Sequence, residues 1–241
     1  MRRTHCLVAA TLLLLSWSTG ALAQPYAGRS LTLPEAALRL DAGTRWPYPA
    51  GSLSLGLREP EPVHVRMGLS AGLTRDLELG ALLLPVRLNN DAEYLDPSVH
   101  LLHRFGTGEV EPGLLVRASI PVQGDFVAVV GVPVRIHVAP TVRVDLGGFL
   151  LMAFPDRGTF ASLLLPVELG INVTDEWFLG PLLGINVNNL IGDRDANTSI
   201  PLAFFGGYSW GVSDLRLQLD LGNLDDDVRA TTLSFRVDLV F

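Results

Sequence analysis

Apolar and polar residues alternate along almost the whole chain after its first two dozen residues, and a period of two excludes most folds at once. In "VHVRMGLS", Val63, Val65, Met67 and Leu69 fall on one side of an extended chain, with His64, Arg66, Gly68 and Ser70 on the other. In "DLRLQLDLG", Leu215, Leu217, Leu219 and Leu221 oppose Arg216, Gln218, Asp220 and Gly222. "ASLLLPVELGINV" sets an apolar row running from Ala161 to Val173 against Ser162, Glu168, Gly170 and Asn172. Successive side chains of a strand point to opposite faces, so each run reads as a strand with one apolar and one polar face. No helical period is sustained, so no helices stand ready to cover the apolar faces.

A repeat fixes how the strands connect. "GLTRDLELG", "GTGEVEPG", "APTVRVDLG", "NVTDEWFLG" and "GVSDLRLQLDLG" are variants of one unit, a tight polar turn followed by a strand. Their closing glycines, Gly80, Gly113, Gly147, Gly180 and Gly222, are spaced by 33, 34, 33 and 42 residues, two strands per period. The spacing predicts twelve strands near 35–43, 62–72, 77–88, 97–105, 110–121, 126–138, 142–154, 159–173, 177–188, 199–210, 215–223 and 231–241. The links opposite the turns are longer, as in "LNNDAEYLDP" and "GNLDDDVRAT". Short turns on one rim, long loops on the other and an even strand number define an all-β fold. It is a transmembrane antiparallel up-and-down β-barrel of about 12 strands. Lipid receives the apolar face, and closure pairs the backbone. A soluble β-sandwich or lipocalin-like barrel also alternates, but needs a larger polar face than several of these strands provide.

The start of the chain points to export. Arg2 and Arg3 precede the apolar run "CLVAATLLLL", and "ALA" at 21–23 offers the small residues of a cleavage site. The run is shorter than the roughly 20 residues of a spanning helix. The expected organisation is a signal peptide over 1–23, a short periplasmic N-terminal segment over 24–34 and the barrel over 35–241. Cleavage removes Cys6, the only cysteine, and with it any disulfide or thiolate site. It also takes Arg2 and Arg3 from a chain of formal charge −7, leaving −9. All 18 basic residues are arginine and none forms a tract, which argues against a nucleic-acid partner. No cofactor is implied. Yet 48% of the residues are hydrophobic, an apolar load that a lipid-facing barrel absorbs. Aromatics gather towards both rims: Phe105, Trp177, Tyr208, Trp210 and Phe241 at one, Trp46, Tyr48, Tyr94, Phe126, Phe154 and Phe160 at the other. Phe149, Phe204, Phe205 and Phe235 fall mid-strand.

The chain stops on "LSFRVDLVF". This ending resembles the C-terminal signal of bacterial outer-membrane β-barrel proteins, in which alternate apolar residues lead to a terminal phenylalanine. Phe235, Val237, Leu239 and Phe241 match that pattern. The resemblance implies recognition by the barrel assembly machinery and residence in the bacterial outer membrane, among lipid and lipopolysaccharide. The turn "GLTRDLELGALLLP" resembles turns in a family of outer-membrane transporters first associated with phenol-degradation operons.

Strand parity then places a dense set of charges inside the barrel. They are Arg39, Asp41, His64, Arg66, Glu78, Arg104, Arg117, Arg135, His137, Arg143, Asp145, Glu168, Arg216, Asp220, Arg236 and Asp238. Arg39/Asp41, Arg143/Asp145 and Arg236/Asp238 stand two residues apart, as partners along one strand face. Two readings stay open. One is a narrow channel for passive transport of small solutes, in which arginines and facing acids orient the solute. The other is a closed structural barrel stiffened by ion pairs. Glycines on the same parity, among them Gly68, Gly80, Gly113, Gly131, Gly147, Gly170, Gly180 and Gly184, suggest open space. Leu82, Leu84, Leu102, Phe149, Leu151 and Leu182 on inward positions suggest an apolar patch or a plug. A lipid-modifying enzyme is a weaker third reading. The bases available after cleavage are His64, His100, His103 and His137, and Ser98 near His100 is a chance-level nucleophile–base pair. His100 and His103 fall on opposite faces of a strand, which makes them poor joint metal ligands. Asp193, Asp195 and Asp225 to Asp227 read as solvated loop tips.

Overall fold

The computed structural model describes residues 25–47, 63–88, 92–122, 125–155, 158–191, 196–224 and 232–241. The signal-peptide residues, Tyr48 and the acidic positions 193, 195 and 225–227 lie outside them. Fifteen strand segments form one antiparallel sheet: β1 (Leu38–Pro47), β2 (Val63–Thr74), β3 (Leu77–Leu82), β4 (Val86–Leu88), β5 (Ala92–Tyr94), β6 (Ser98–Arg104), β7 (Val110–Ser119), β8 (Phe126–Ala139), β9 (Val142–Phe154), β10 (Phe160–Asn172), β11 (Trp177–Ile191), β12 (Asn197–Ser199), β13 (Pro201–Trp210), β14 (Ser213–Asn223) and β15 (Thr232–Val240).

These fifteen segments are twelve crossings. β3 and β4 both pair with β2 and are split by a bulge, where the amides of Leu83 and Leu84 both donate to the Met67 carbonyl. β5 pairs with β4 and β6 with β3, so they are the two halves of the next crossing. β12 and β13 both pair with β11 and are interrupted at Ile200. The sheet closes because β1 pairs on one side with β2 and on the other with β15, in a register running from Arg39↔Val240 to Pro47↔Thr232. Phe241 completes the seam: its amide donates to the Leu38 carbonyl at 2.8 Å and its carbonyl accepts from the Leu38 amide at 3.1 Å. Closure removes the sheet edges that a chain ending in an apolar strand would otherwise expose.

The crossings fall close to the predicted positions. The clearest shift is at the first strand, which starts at Leu38 rather than 35. Pro34 to Ala37 form a turn, closed by the Ala37 amide on the Pro34 carbonyl at 3.1 Å, with Ala36 at φ +62°.

The outer surface is apolar in the way lipid requires. Leu69, Val132, Leu179 and Leu217 each keep between 44% and 51% of their surface exposed. No conventional core compensates: the cluster of buried apolar residues is three rings, Tyr26, Phe178 and Phe205. A soluble β fold would bury the alternating leucines and valines instead. At the short-turn rim, the rings of Trp177 and Tyr208 lie 5.1 Å apart and those of Tyr208 and Trp210 6.3 Å apart. Phe126 and Phe154 meet at 5.7 Å near the long-loop rim. Leu84 is an exception to the expected inward row; it leaves the strand at the bulge and is half exposed.

Candidate functional site: a charged lumen crossed by an N-terminal strap

Residues 25–34 do not lead straight into the wall. They enter the barrel at its short-turn end and cross it. The one helical turn, Tyr26–Gly28, sits against β10 and β11, where the Ala27 amide donates to Asn172 Oδ1 at 2.8 Å and Tyr26 stacks on Phe178 with centroids 3.9 Å apart. At the other end, the Leu33 amide donates to Glu78 Oε2 at 3.0 Å on β3, and the Pro34 carbonyl lies over Gly72 on β2. Around the twelve crossings β2 and β10 are six steps apart in either direction, so the strap spans a full diameter.

Between these ends the wall grips the strap's backbone. Arg143 Nη1 donates to the Tyr26 carbonyl at 2.6 Å, and Arg135 Nη1 to the carbonyls of Arg29 and Ser30 at 3.0 and 2.6 Å. His137 Nδ1 lies 2.9 Å from the Ala27 carbonyl, so that nitrogen carries the proton. The Leu31 amide donates to Glu111 Oε2 at 2.6 Å, and Arg29 pairs with Asp214. Polar backbone inside a membrane barrel must find partners of this kind.

The wall charges are locked to each other as well. Arg104, 6% exposed, directs its guanidinium to Asp76 Oδ1 at 2.7 and 3.0 Å, the Arg75 carbonyl at 2.9 Å, Glu111 Oε1 at 3.0 Å and Ser30 Oγ. Asp76, on the solvent-exposed turn, is held below the usual carboxylate range, chiefly by its hydrogen bond from Arg104. Arg135 binds Asp145 at 2.6 and 2.9 Å, and Arg143 reaches Asp145 at 3.1 Å. Arg216 binds Glu168 at 2.8 and 3.1 Å and lies over the Phe205 ring at 3.8 Å. Glu168 also accepts from the Tyr26 hydroxyl at 2.7 Å, while Arg143 lies 3.5 Å above the Tyr26 ring.

Burial pushes the Tyr26 hydroxyl up to about 12; the nearby cations Arg143 and Arg216 pull it down, and the Glu168 charge pushes it further up. The phenol is therefore a neutral donor at any physiological pH. Because its folded value is raised, the stability tied to Tyr26 is whole below pH 10 and is lost as pH climbs through about 12.

All sixteen predicted charges lie on the inward parity, yet they form different partnerships. Arg143/Asp145 and Arg236/Asp238 pair as expected, the latter at 2.8 Å. Arg39 does not pair with Asp41 but crosses to Glu78 at 2.5 Å, past Ser70, to whose Oγ it donates at 3.3 Å. Glu78, Arg104 and Arg143 are almost fully buried around the strap. Asp220 meets Arg45 at 3.7 Å. Asp41 lies over Gly68, His64 and Arg66 border the half of the lumen beyond the strap, and Arg117 stands in register with His100. His100 faces inward, 3.5 Å from Glu78, and His103 outward against Phe105.

The glycines are a correction. They receive neighbouring side chains rather than leaving space. Phe149 lies over Gly131 and Gly147, Phe178 over Gly207, and Phe205 2.9 Å from where a Cβ at Gly180 would stand. Gly113 and Gly170 make room for the strap, with Leu31 and Tyr26 at 2.9 and 3.0 Å from the missing Cβ positions. Strand parity alone would have added Arg45, Glu111 and Asp214 to the site. Tyr26, Arg29 and Ser30 lie in a segment with no period and gave no signal.

Two cavities lie among the described residues on either side of the ion pairs. One, of about 300 Å³, lies along the strap and is bordered by Arg29, Arg39, Asp145 and Asp214. The other, of about 550 Å³, lies towards the long-loop rim and is bordered by Gly43, Arg45, His64, Arg66, Leu82 and Gln218 among others. Glu168, Arg216 and Arg236 border both, so a layer of ion pairs stands between them.

A membrane-spanning β-barrel with a charged, strapped lumen is the class of protein these features define. A solved outer-membrane channel from Pseudomonas putida F1 has the same fold: 13% identity, TM-score 0.59, over 87% of this chain and 96% of that one. The NanC porin is likewise similar, at 9% identity and TM-score 0.56 over 83% of this chain and 98% of that one. The chain thus has the fold of the bacterial outer-membrane β-barrel proteins. No protein-family model matches the sequence, and no curated protein matches it in sequence.

Proposed function

We propose that the chain is an outer-membrane channel for passive passage of small solutes, with its N-terminal strap narrowing the periplasmic end. The observation that carries this reading is the state of the charges in the 550 Å³ cavity. A lumen built only for stiffness would neutralise its cations throughout. Here Arg66, which borders that cavity, makes no ion pair or hydrogen bond with any described residue and is exposed although it points inward. Charge left solvated inside a barrel fits a water-filled path. The two similar structures, named a channel and a porin, support the same reading. Short turns and both chain ends then face the periplasm, as in other barrels of this kind. The matching C-terminal residues Phe235, Val237, Leu239 and Phe241 serve recognition by the assembly machinery, and the role is transport rather than catalysis.

The competing reading is a closed structural barrel, favoured by the stacked Tyr26–Phe178 pair and the ion-pair layer. Planar-bilayer recordings separate the two. The full mature chain is expected to give small openings, and the chain lacking residues 24–34 larger ones. Absence of discrete openings from both proteins would establish the closed barrel.

A further inference from the structure

The half of the lumen beyond the strap is two-sided. Gly43 on β1 stands in register with Arg236 on β15 and with Arg66 on β2, so two arginines flank a position with no side chain. A Cβ at Gly43 would lie 3.4 Å from Arg66 Nε; its absence opens the floor between them. Arg236 is bound to Asp238, and Arg45 and Arg216 have their own acids. Arg66 borders the same cavity and makes no ion pair or hydrogen bond with a described residue. The same cavity is bordered on another side by Leu82, Pro85, Val86 and Leu95, which offer no polar side chain.

We infer that this cavity is a binding site for a small organic anion with an apolar body, such as a medium-chain monocarboxylate. Its carboxylate lies against Arg66, and its hydrocarbon part lies against Leu82, Val86 and Leu95. A guanidinium that is solvated and free of protein acids keeps its donors available to a carboxylate. The leucine wall explains why the lumen carries apolar residues where a pore for inorganic ions needs none. A volume of about 550 Å³ is within the range of small-molecule sites. The site rests on the channel reading only for its role in transport, since binding itself requires no flow.

The test is equilibrium binding, measured by titration calorimetry on the folded full-length mature barrel in non-ionic detergent at low chloride. The probes are hexanoate, acetate and hexanol. Hexanoate is expected to bind at least tenfold more tightly than either of the others. Arg66→Gln is expected to weaken it at least tenfold, with unchanged far-ultraviolet circular dichroism and heat-induced unfolding temperature. Equal affinity for hexanoate and hexanol, or binding that survives Arg66→Gln, would overturn the anionic part. Equal affinity for hexanoate and acetate would overturn the apolar part. A closed barrel that still binds hexanoate through Arg66 would sink the transport proposal and leave the site standing.

Discussion

Tyr26→Ala is the substitution that most directly tests whether the strap is held or merely rests in the lumen. Four interactions of the side chain set the size of the effect: burial to 6% exposure, the stack on Phe178, the hydrogen bond to Glu168 and the Arg143 guanidinium over its face. Truncating a buried aromatic residue costs about 3–5 kcal/mol. The ring stack adds about 0.5–1.5 kcal/mol, and a hydrogen bond to a charged acceptor is worth about 1.5–3 kcal/mol. These terms overlap, since all four contacts are lost together and water enters the space. About 4 kcal/mol for docking of the strap's first turn is a reasonable single figure, and it corresponds to roughly a thousandfold shift from docked to released.

The wall should survive this change, because its backbone ladder does not involve Tyr26 and Arg216, which also donates to the Tyr26 hydroxyl at 3.1 Å, keeps its two bonds to Glu168. The assay uses the scarcity of thiols: Cys6 is the only cysteine and falls in the expected signal peptide. A thiol introduced by Thr32→Cys sits on the strap at a position 4% exposed. It should react slowly with a charged maleimide in the otherwise unaltered barrel. With Tyr26→Ala added, the rate should rise by two to three orders of magnitude, and the open fraction in bilayers should rise with it. Tyr26→Phe, which keeps the ring stack and loses only the hydroxyl, should fall between the two. Labelling and conductance both unchanged by Tyr26→Ala would refute the reasoning that the first turn anchors the strap.

Arg104→Gln leaves Glu111, 5% exposed, without its strongest partner, and breaking a buried pair from one side costs about 3–5 kcal/mol; urea unfolding followed by tryptophan fluorescence should show that loss, and a change under 1 kcal/mol would mean that the Leu31 amide and Ser30 satisfy Glu111 alone. Deletion of Phe241 removes both seam hydrogen bonds to Leu38, whereas Phe241→Ala keeps them and removes only a ring that is already half exposed. If assembly reads the aromatic residue, outer-membrane levels should fall equally in both variants; a loss confined to the deletion would assign the effect to the seam.

The wall of this barrel was legible because its physics repeats. Each crossing must place apolar residues outside every second position, and "VHVRMGLS" or "DLRLQLDLG" shows that rule within eight or nine residues. Parity also located the interior charges, since a one-residue slip would have put Arg66 or Arg216 in lipid. Their partners were less legible. Arg39 finds Glu78 rather than Asp41 by reaching past Ser70 on β2 to β3, a relation no single strand records.

The strap was illegible for a different reason. Residues 25–34 carry no period, and much of the wall's grip on them falls on backbone atoms: the carbonyls of Tyr26, Ala27, Arg29 and Ser30 and the amides of Ala27, Leu31 and Leu33. Backbone groups are the same in every residue, so sequence cannot announce them. What sequence does hold is the complement on the wall, a ring of arginines and acids at one end of the barrel together with Gly72, Gly113 and Gly170. Read alone, that ring suggests an open, charged mouth. Only the diametric span from β10 to β2 shows that its donors and acceptors are already taken by the chain's own beginning, which leaves Arg66, in the cavity beyond the strap, unbound by any described acid.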